Sequence, residues 1–390
     1  MTARRIAFFT STRAEYGLLR PVMAEVASRP GLSLQTIVAG THLSEEYGET
    51  WREIAADGFS IDARINMQMQ TDDAVGIAAS AALALTGTAE ALARLQPDVL
   101  VLLGDRYELL AAAQAAVLAR IPIAHIHGGE ATEGAIDDSI RHAITKLAHL
   151  HFPAAQAYAE RILQMGESPD RVWTVGAPAM DNIASLDPVS LETLEAFIGM
   201  PLRAPAFLVT YHPVTLAGDG GLAAMAALLT ALDERAGSVV ITGTNADPGG
   251  APIRKALQAF GHANAGRIAL VESLGVRRYL SLMQHVDAVV GNSSSGLLEA
   301  PAIGVPTVDI GARQRGRLRA PSVIHCDETA SSIRQALNTV LTEEHRQLAA
   351  RRDSPYGRPG AARRIVDVLQ SVAIDTLCKP FVDRPYPAVA

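Results

Sequence analysis

The chain has 390 residues, of which 48% are hydrophobic and 19% are charged, so it is typical of a globular protein too long for one core. Its formal net charge of −7 gives no support for general binding to nucleic acid or to a membrane. Cys326 and Cys378 are the only cysteines, which excludes a disulfide framework and a cysteine-rich zinc site and makes a reducing cytoplasm the default location.

Short apolar runs alternate with helical patterns along the whole chain. In the first half, strands are predicted over residues 5–9, 34–39, 99–103, 122–125 and 150–152, and helices over 16–28, from about 43, and over 108–119. In the second half, strands are predicted over 207–210, 239–242, 268–271, 288–290 and 306–308. This alternation predicts an α/β fold of two Rossmann-like, doubly wound domains that face a cleft.

A proline-rich segment separates the two series of strands. We therefore predict an N-terminal Rossmann-like domain over residues 1–176, a linker over 177–205, and a C-terminal nucleotide-binding domain over 206–360. The first apolar run, residues 6–9, is too short for a signal peptide, and no uncharged stretch reaches the length of a membrane span.

Polar residues follow the predicted strands at the point where each one ends. These loops are residues 11–13, 40–42, 104–106, 127–130, 211–213, 243–245 and 291–296. Ligands of doubly wound sheets bind at the carboxyl ends of the strands, so we expect the functional residues in these loops.

The loop 291–296 contains Ser293, Ser294 and Gly296 and opens a predicted helix. Several free amides and the positive helix end would suit a diphosphate, and Glu299, about one turn later, would accept from ribose hydroxyls. The alternative is a plain serine cap on a packing helix. Arg13 and Arg313 follow strands and either reach a phosphate oxygen or form surface ion pairs.

Acidic residues gather in the first half. Asp105 either caps a helix or faces the cleft, and Glu130 follows two glycines that allow close approach to a ligand. One of Asp137 and Asp138 is expected to cap the next helix, leaving the other free to act. His212 either faces the cleft or lies in the core. His42 and the other loop histidines lack the spacing of a metal motif, so we predict no metal.

Taken together, these residues resemble the hydrolysing UDP-N-acetylglucosamine 2-epimerases of sialic- and legionaminic-acid synthesis. The resemblance runs from residue 5 to about 360 and is carried by the motifs at 12–17, 40–43, 104–106, 127–130, 137–142, 211–213, 243–245, 291–296 and 311–314. The non-hydrolysing sister family opens with Gly-Thr-Arg-Pro-Glu and contains His-Val-Glu-Ala-Gly-Leu. Here residues 11–16 read Ser-Thr-Arg-Ala-Glu-Tyr and residues 125–130 read His-Ile-His-Gly-Gly-Glu, which favours the hydrolysing branch.

The resemblance implies a glycosyltransferase-B-like fold whose last segment, residues 361–390, crosses back to the first domain. It implies two groups of ligand-binding residues. The nucleotide diphosphate would be held by Arg13, Asn245, His212, Ser293, Ser294, Glu299 and Arg313, with Arg106 and Gly296 in the same loops. The sugar would be surrounded by Asp105, Glu130, Asp137, Asp138 and His42.

The implied reaction is elimination of UDP to a 2-acetamidoglycal and addition of water with inversion at carbon 2. Asp105 or Glu130 would be the base, Asp137 or Asp138 would supply a proton or orient water, and Arg13 and His212 would stabilise the diphosphate. The substrate is UDP-N-acetylglucosamine or UDP-2,4-diacetamido-2,4,6-trideoxyglucose, and no cofactor is expected. A non-hydrolysing epimerase or a glycosyltransferase is the alternative, and the family suggests homodimers or homotetramers.

Overall fold

The computed structural model describes residues 3–67, 73–214, 218–243, 250–374 and 376–384. The chain forms two compact units: the first contains Met1–Glu130, Asp137–Asp181 and Tyr356–Ala390, and the second contains Ala131–Ile136 and Asn182–Pro355. Each unit is built on a six-stranded parallel sheet flanked by helices. The prediction of two Rossmann-like doubly wound domains is confirmed.

The strands, in chain order, are β1 (Arg4–Thr10), β2 (Leu32–Ala39), β3 (Ala63–Ile65), β4 (Val99–Leu103), β5 (Ile123–Ile126), β6 (Leu150–Phe152), β7 (Ala206–Thr210), β8 (Ser238–Thr242), β9 (Ile268–Val271), β10 (Ala288–Gly291), β11 (Thr307–Ile310) and β12 (Val323–Cys326). The α-helices are α1 (Arg13–Ser28), α2 (Trp51–Ala56), α3 (Ala74–Leu95), α4 (Tyr107–Leu118), α5 (Asp137–Leu147), α6 (Gln156–Gln164), α7 (Ala179–Ala184), α8 (Leu191–Ile198), α9 (Leu222–Asp233), α10 (Gly250–Ala263), α11 (Gly275–Met283), α12 (Ser295–Ile303), α13 (Ala330–Val340), α14 (Glu343–Ala350) and α15 (Ala361–Ser371). The helix predicted from about Leu43 is wrong: a 3₁₀ turn ends at Leu43, and helix begins again only at Trp51.

The first sheet has the order β3-β2-β1-β4-β5-β6 and is buried on both faces. Alternate residues of β1 point to opposite sides. Ile6 and Phe8 pack with α1 and α15, whereas Ala7 and Phe9 lie in the core that includes α3 and α4. A strand buried on both faces reads as a continuous apolar run, which is why β1 could be predicted from its sequence.

The second sheet has the order β12-β11-β10-β7-β8-β9. Both sheets therefore reverse their strand order once, between β1 and β4 in the first unit and between β7 and β10 in the second. In open α/β sheets, ligands bind beside such a reversal, at the carboxyl ends of the strands. The loops after these four strands are the places where function is expected.

Helix α3 stands out among the described residues because its length and mean hydropathy of 1.5 would suffice to cross a membrane. Core helices of soluble proteins pass the same two criteria, so this is weak evidence for a span. Ser80, Ala84 and Thr88 form its buried stripe, and the helix packs on α4. Only 28% of its most apolar 18-residue window is buried; Val75 is exposed, whereas Leu85 and Leu95 are partly buried against the core.

Candidate active site

The loop after β1 is fixed by reciprocal capping. The hydroxyl of Thr12 accepts a hydrogen bond from the Glu15 amide at 3.3 Å, and the Glu15 carboxylate accepts from the Ser11 amide at 2.8 Å. This is a capping box displaced by one residue. It places Arg13 in the first turn of α1, half-buried at the carboxyl end of β1.

A second buried carboxylate lies close to Glu15. Glu108 has no exposed surface, and Arg106 donates to it from two nitrogens at 3.1 and 3.2 Å. Burial, together with the nearby charge of Glu108, raises the pKa of Glu15 to about 7. Neither glutamate was predicted as a site residue, because their positions in first turns of helices look like ordinary caps.

Asp105 forms an ion pair with Arg141 of α5. Arg141 is only 1% exposed, whereas the Asp105 side chain is 21% exposed. Arg106, not Asp105, occupies the N-cap position of α4, and it makes no side-chain cap hydrogen bond. The capping alternative for Asp105 is therefore wrong, and its carboxylate is held instead by a buried guanidinium.

The segment after β5 turns sharply. His127 has a φ of 64° and Gly129 a φ of 77°, and a Cβ at Gly129 would overlap the carbonyl oxygen of Tyr158. This turn brings Glu130, which is 1% exposed, onto the Nδ1 atom of His127. A buried carboxylate and an imidazole are thus in direct contact.

Helix α5 begins at Asp137, and Asp138 follows in its first turn. Asp138 lies 3.7 Å from Arg141 and 3.6 Å from His142. One face of α5 therefore carries a carboxylate, a guanidinium and an imidazole, and its Arg141 reaches Asp105 on the adjoining loop. Within the first unit, the residues predicted around the sugar at Asp105 and Asp138 share one network.

His42 is placed differently from the expectation for a residue around the sugar. It has no exposed surface, and its ring nitrogens lie 3.0 Å from the Thr10 hydroxyl and 2.8 Å from the Thr50 hydroxyl. In this conformation it supports the carboxyl end of β1. The sequence around His42 gave no sign that its ring is buried.

Burial gives the first unit a predictable dependence on pH. The pKa values of His42 and His125 are lowered by burial from 6.5 to about 3, so their contribution to stability is complete above pH 6.5 and is lost as the pH falls towards 3. Glu15 acts in the opposite sense: its pKa is raised from 4.5 to about 7, so its contribution is complete below pH 4.5 and is lost as the pH rises through 7.

We expect the free energy of unfolding to fall between pH 6.5 and 4.5, because burial also lowers the pKa values of His142, His149 and His151, so five histidines act against one glutamate. The net slope is at least about 1.4 kcal/mol per pH unit, the value for one proton. The Glu15→Gln variant lacks the opposing glutamate and should show a slope steeper by about the same amount. Urea unfolding of both proteins across this range measures the slopes, and a flat profile in both would contradict the expectation.

In the second unit, Asn292 links the loops after β7 and β10. Its side chain accepts from the His212 amide at 2.7 Å and donates to the His212 carbonyl at 2.8 Å. Its own carbonyl accepts from Arg313 at 3.1 Å and from Gln314 at 2.8 Å. Asn292 has no exposed surface. It acts as a hub, because its hydrogen bonds fix the main chain at His212 and the side chain of Arg313.

The serine loop differs in part from the prediction. Ser294 is the N-cap residue of α12 but makes no side-chain cap hydrogen bond. The amides of Ser295 and Gly296 donate to the hydroxyl and the carbonyl of Ser293 at 3.4 and 3.2 Å, so these two amides have partners within the loop. The binding of a diphosphate here stays a prediction. The serine hydroxyls and the positive end of the α12 dipole remain as groups that favour a phosphate.

Glu299 lies one turn into α12 and is half-buried, as the sequence predicts. Asn245, predicted to bind the nucleotide, lies outside the described residues. Asn292 and Gln314 were missed because an asparagine or glutamine in a strand-end loop carries no signal of which backbone groups it will bind. The only available indication was that Asn292 directly follows β10 and that Gln314 lies in the loop after β11.

Comparisons with known proteins show the family and the fold of the chain. The model of the family described as UDP-N-acetylglucosamine 2-epimerase matches residues 24–370. The chain is 38% identical over 386 residues, 98% of its length and 100% of the relative's, to the GDP/UDP-N,N'-diacetylbacillosamine 2-epimerase (hydrolyzing) of Campylobacter jejuni. It is 32% identical over 371 residues, 95% of its length and 97% of the relative's, to the UDP-N,N'-diacetylbacillosamine 2-epimerase (hydrolyzing) of Legionella pneumophila.

Among solved structures, the UDP-GlcNAc 2-epimerase of Neisseria meningitidis bound to UDP-GlcNAc matches with a TM-score of 0.78 at 20% identity, covering 94% of this chain and 99% of that one. At this identity the likeness shows the fold, which is the glycosyltransferase-B-like one. The chain belongs to the UDP-N-acetylglucosamine 2-epimerase family. Within the family, the predicted resemblance to the hydrolysing enzymes is confirmed.

Proposed function

We propose that this enzyme converts a UDP-linked 2-acetamido sugar to UDP and the free manno-configured sugar. The observation that carries the proposal is the acidic network of the first unit, in which the partly exposed carboxylate of Asp105 is held by the buried Arg141. The sequence identity to two hydrolysing 2-epimerases supports the same reaction.

The chemistry explains why such a network is needed. The hydrogen on carbon 2 of the sugar is not acidic, because no carbonyl group adjoins that carbon. Departure of UDP gives carbon 1 oxocarbenium character, and the hydrogen on carbon 2 can then be removed to form a glycal. Cationic and hydroxyl groups stabilise the departing diphosphate, and a carboxylate takes the proton.

We assign the base role to Asp105. Its carboxylate is held by the guanidinium of Arg141, and it is more exposed than Glu130. Glu130, hydrogen-bonded to His127, and Asp138, paired with Arg141 and His142, are the carboxyl groups available for proton donation or water orientation in the hydration step. Asp137 stays an alternative to Asp138.

The leaving group is assigned to the second unit. His212, Ser293 and Ser294 follow β7 and β10 at the strand-order reversal, where doubly wound sheets bind ligands. Arg313 follows the neighbouring strand β11 and donates to the Asn292 carbonyl. Glu299 is assigned to the ribose. Arg13 and Arg106 of the first unit are assigned to the diphosphate as well, because each follows a strand beside the reversal in its own sheet.

We propose the 2,4-diacetamido-2,4,6-trideoxy sugar, which is N,N'-diacetylbacillosamine, as the preferred sugar. Two relatives at 38% and 32% identity are named for it, whereas the UDP-N-acetylglucosamine 2-epimerase of Neisseria meningitidis is 31% identical over a shorter part of the chain. The Campylobacter enzyme is named for both GDP- and UDP-linked substrate, so the base is tested together with the sugar.

The decisive experiment incubates the enzyme in heavy water with UDP-N-acetylglucosamine, UDP-N,N'-diacetylbacillosamine and GDP-N,N'-diacetylbacillosamine separately. Release of nucleotide and a free manno-configured sugar carrying deuterium at carbon 2, without any acceptor, is expected for one of them. An epimerised sugar still attached to UDP would indicate a non-hydrolysing epimerase. Turnover only when an acceptor is added would indicate a glycosyltransferase.

We also propose that the protein is a cytoplasmic homo-oligomer. Both cysteines are free thiols, as in a reducing compartment. Helix α3 offers an apolar surface suited to a second copy of the chain, with Val75 79% exposed. Light scattering of the purified protein measures the assembly, and Ala82→Glu, an exposed position on α3, should weaken it if α3 forms the interface.

A further inference from the structure

A short segment near the carboxyl end of the chain, residues 376–384, lies against the end of α5. The ammonium group of Lys379 donates to the carbonyl oxygens of Lys146 and Ala148, each at 2.6 Å, and lies 3.4 Å from that of Thr145. The last carbonyl groups of a helix have no partner within the helix, and a cation there also complements the helix dipole. Lys379 therefore caps α5 from more than 230 residues away in sequence.

The same ammonium group is anchored by a buried carboxylate. Glu167 lies 2.8 Å from Lys379, 2.5 Å from Lys146 and 2.9 Å from His151, and its side chain is 2% exposed. Burial alone would oppose its ionisation, but these three hydrogen-bonding partners together lower the pKa of Glu167 to about 2. The carboxylate is thus ionised throughout the neutral range and holds both lysines.

The aromatic side chain of Phe381 also connects the segment to the first unit. The ring of Phe381 lies over Gly166, where any Cβ would overlap the ring, and its centre is 4.9 Å from the Lys146 ammonium. The amide of Val382 donates to the Gly166 carbonyl at 2.9 Å. The segment is therefore joined to the first unit by a backbone hydrogen bond, a ring contact and a buried ion pair.

The residue type at 379 also favours a specific role. The chain has 34 Lys and Arg residues together, but its lysines are only Lys146, Lys255 and Lys379, and two of these three meet at Glu167. An ammonium group is a compact charge with three donors, whereas the guanidinium of arginine is a planar fork. The three short contacts of Lys379, with two carbonyl groups and one carboxylate, match the ammonium group.

A continuous chain of contacts runs from Lys379 towards Asp105. Thr145, whose carbonyl Lys379 approaches, has a hydroxyl that donates to the Arg141 carbonyl at 2.9 Å and lies 3.2 Å from His125 Nδ1. The other ring nitrogen of His125 lies 2.7 Å from the carbonyl oxygen of Gly104, the neighbour of Asp105. The end of α5 is thereby connected to the main chain that carries the assigned base.

We propose that residues 376–384 form a positioning element for the active site, with Lys379 as the positioning residue that fixes the end of α5. Movement of α5 would shift Arg141 and Asp138, which hold the carboxylate network. A misplacement of about 1 Å can reduce turnover by roughly 10²-fold. The proposal rests on the proposed function only where turnover is concerned, since the capping of α5 is independent of the reaction.

The test compares Lys379→Met with Lys255→Met, in which an exposed lysine of α10 in the second unit is changed in the same way. We expect kcat to fall by between about 10- and 100-fold in Lys379→Met, with the inhibition constant of UDP unchanged, and no change in Lys255→Met. Hydrogen exchange is measured in parallel, and the amides at the carboxyl end of α5 should exchange faster only in Lys379→Met.

Each outcome decides the matter. Wild-type kcat in Lys379→Met, or a parallel loss of kcat and UDP affinity in folded Lys379→Met, would overturn a positioning role. If Lys379→Met does not fold, Phe381→Ala removes the ring contact but keeps the Lys379 ammonium group. This variant must then show the same result, a lower kcat with unchanged UDP affinity. If the wild-type enzyme releases no sugar, the proposed function fails, while unchanged exchange in α5 would still refute the capping by itself.

Discussion

Replacing Asp105 with asparagine is expected to lower kcat by about 10²–10⁴-fold, because an amide of the same size cannot accept a proton. The affinity for UDP should be unchanged, since the groups assigned to the leaving nucleotide keep their hydrogen bonds. Some loss of stability is also expected, because Arg141 is buried and loses its charged partner. Rates of nucleotide and sugar release, UDP inhibition and urea unfolding separate these effects.

Asp98→Asn is the matched control for Asp105→Asn. Asp98 also pairs with an arginine of the first unit, Arg5, but both side chains are more than two-fifths exposed, so such a pair contributes little. Its kcat should equal that of the wild type. Near-normal turnover in Asp105→Asn would refute the assignment of the base, and a large loss in Glu130→Gln alone would transfer the role to Glu130.

Replacing Gly291 with alanine should destabilise the second unit by about 3 kcal/mol or more. Gly291 has a φ of 138°, which side-chain-bearing residues rarely adopt, and a Cβ there would overlap the carbonyl oxygen of Thr210 in β7. Movement of Gly291 would also displace its neighbour Asn292, so the hydrogen bonds of Asn292 with His212 and Arg313 would be lost. Urea unfolding and UDP binding are the two measurements.

Gly218→Ala is the appropriate control, because a Cβ at Gly218 would have nothing within 4 Å and its φ is not in the left-handed region. That variant should unfold as the wild type does. If Gly291→Ala were equally stable and bound UDP normally, the loop after β10 would not be under the constraint described, and the role of Asn292 as a hub would have to be abandoned.

The sequence was sufficient for the fold, and it supplied the candidate site residues. Strands such as β1 and β4 are buried on both faces and so appear as apolar runs, and polar residues directly after them fall at the carboxyl edge of a parallel sheet. Asp105, Glu130, Asp138 and Arg313 could be chosen on this basis alone. Their position depends on local pattern and on a general rule of topology.

What could not be predicted depends on pairing between distant segments. Nothing near Glu108 in sequence indicates that its carboxylate is fully buried beside Glu15. The burial of His42 between Thr10 and Thr50 and the capping of α5 by Lys379 likewise arise from tertiary contacts. A side chain that binds a distant segment produces no periodic pattern in the sequence around it.

The placement of α15 in the first unit has a consequence for biosynthesis. Ile365, Val366 and Leu369 of this helix pack with Leu19 and Val22 of α1 in a single core, although all the other helices lie between these two in sequence. Until α15 has been synthesised, the part of α1 that it covers stays exposed, in a setting where exposed hydrophobic surface promotes aggregation. The nascent first unit is therefore expected to depend on chaperones until α15 has been synthesised.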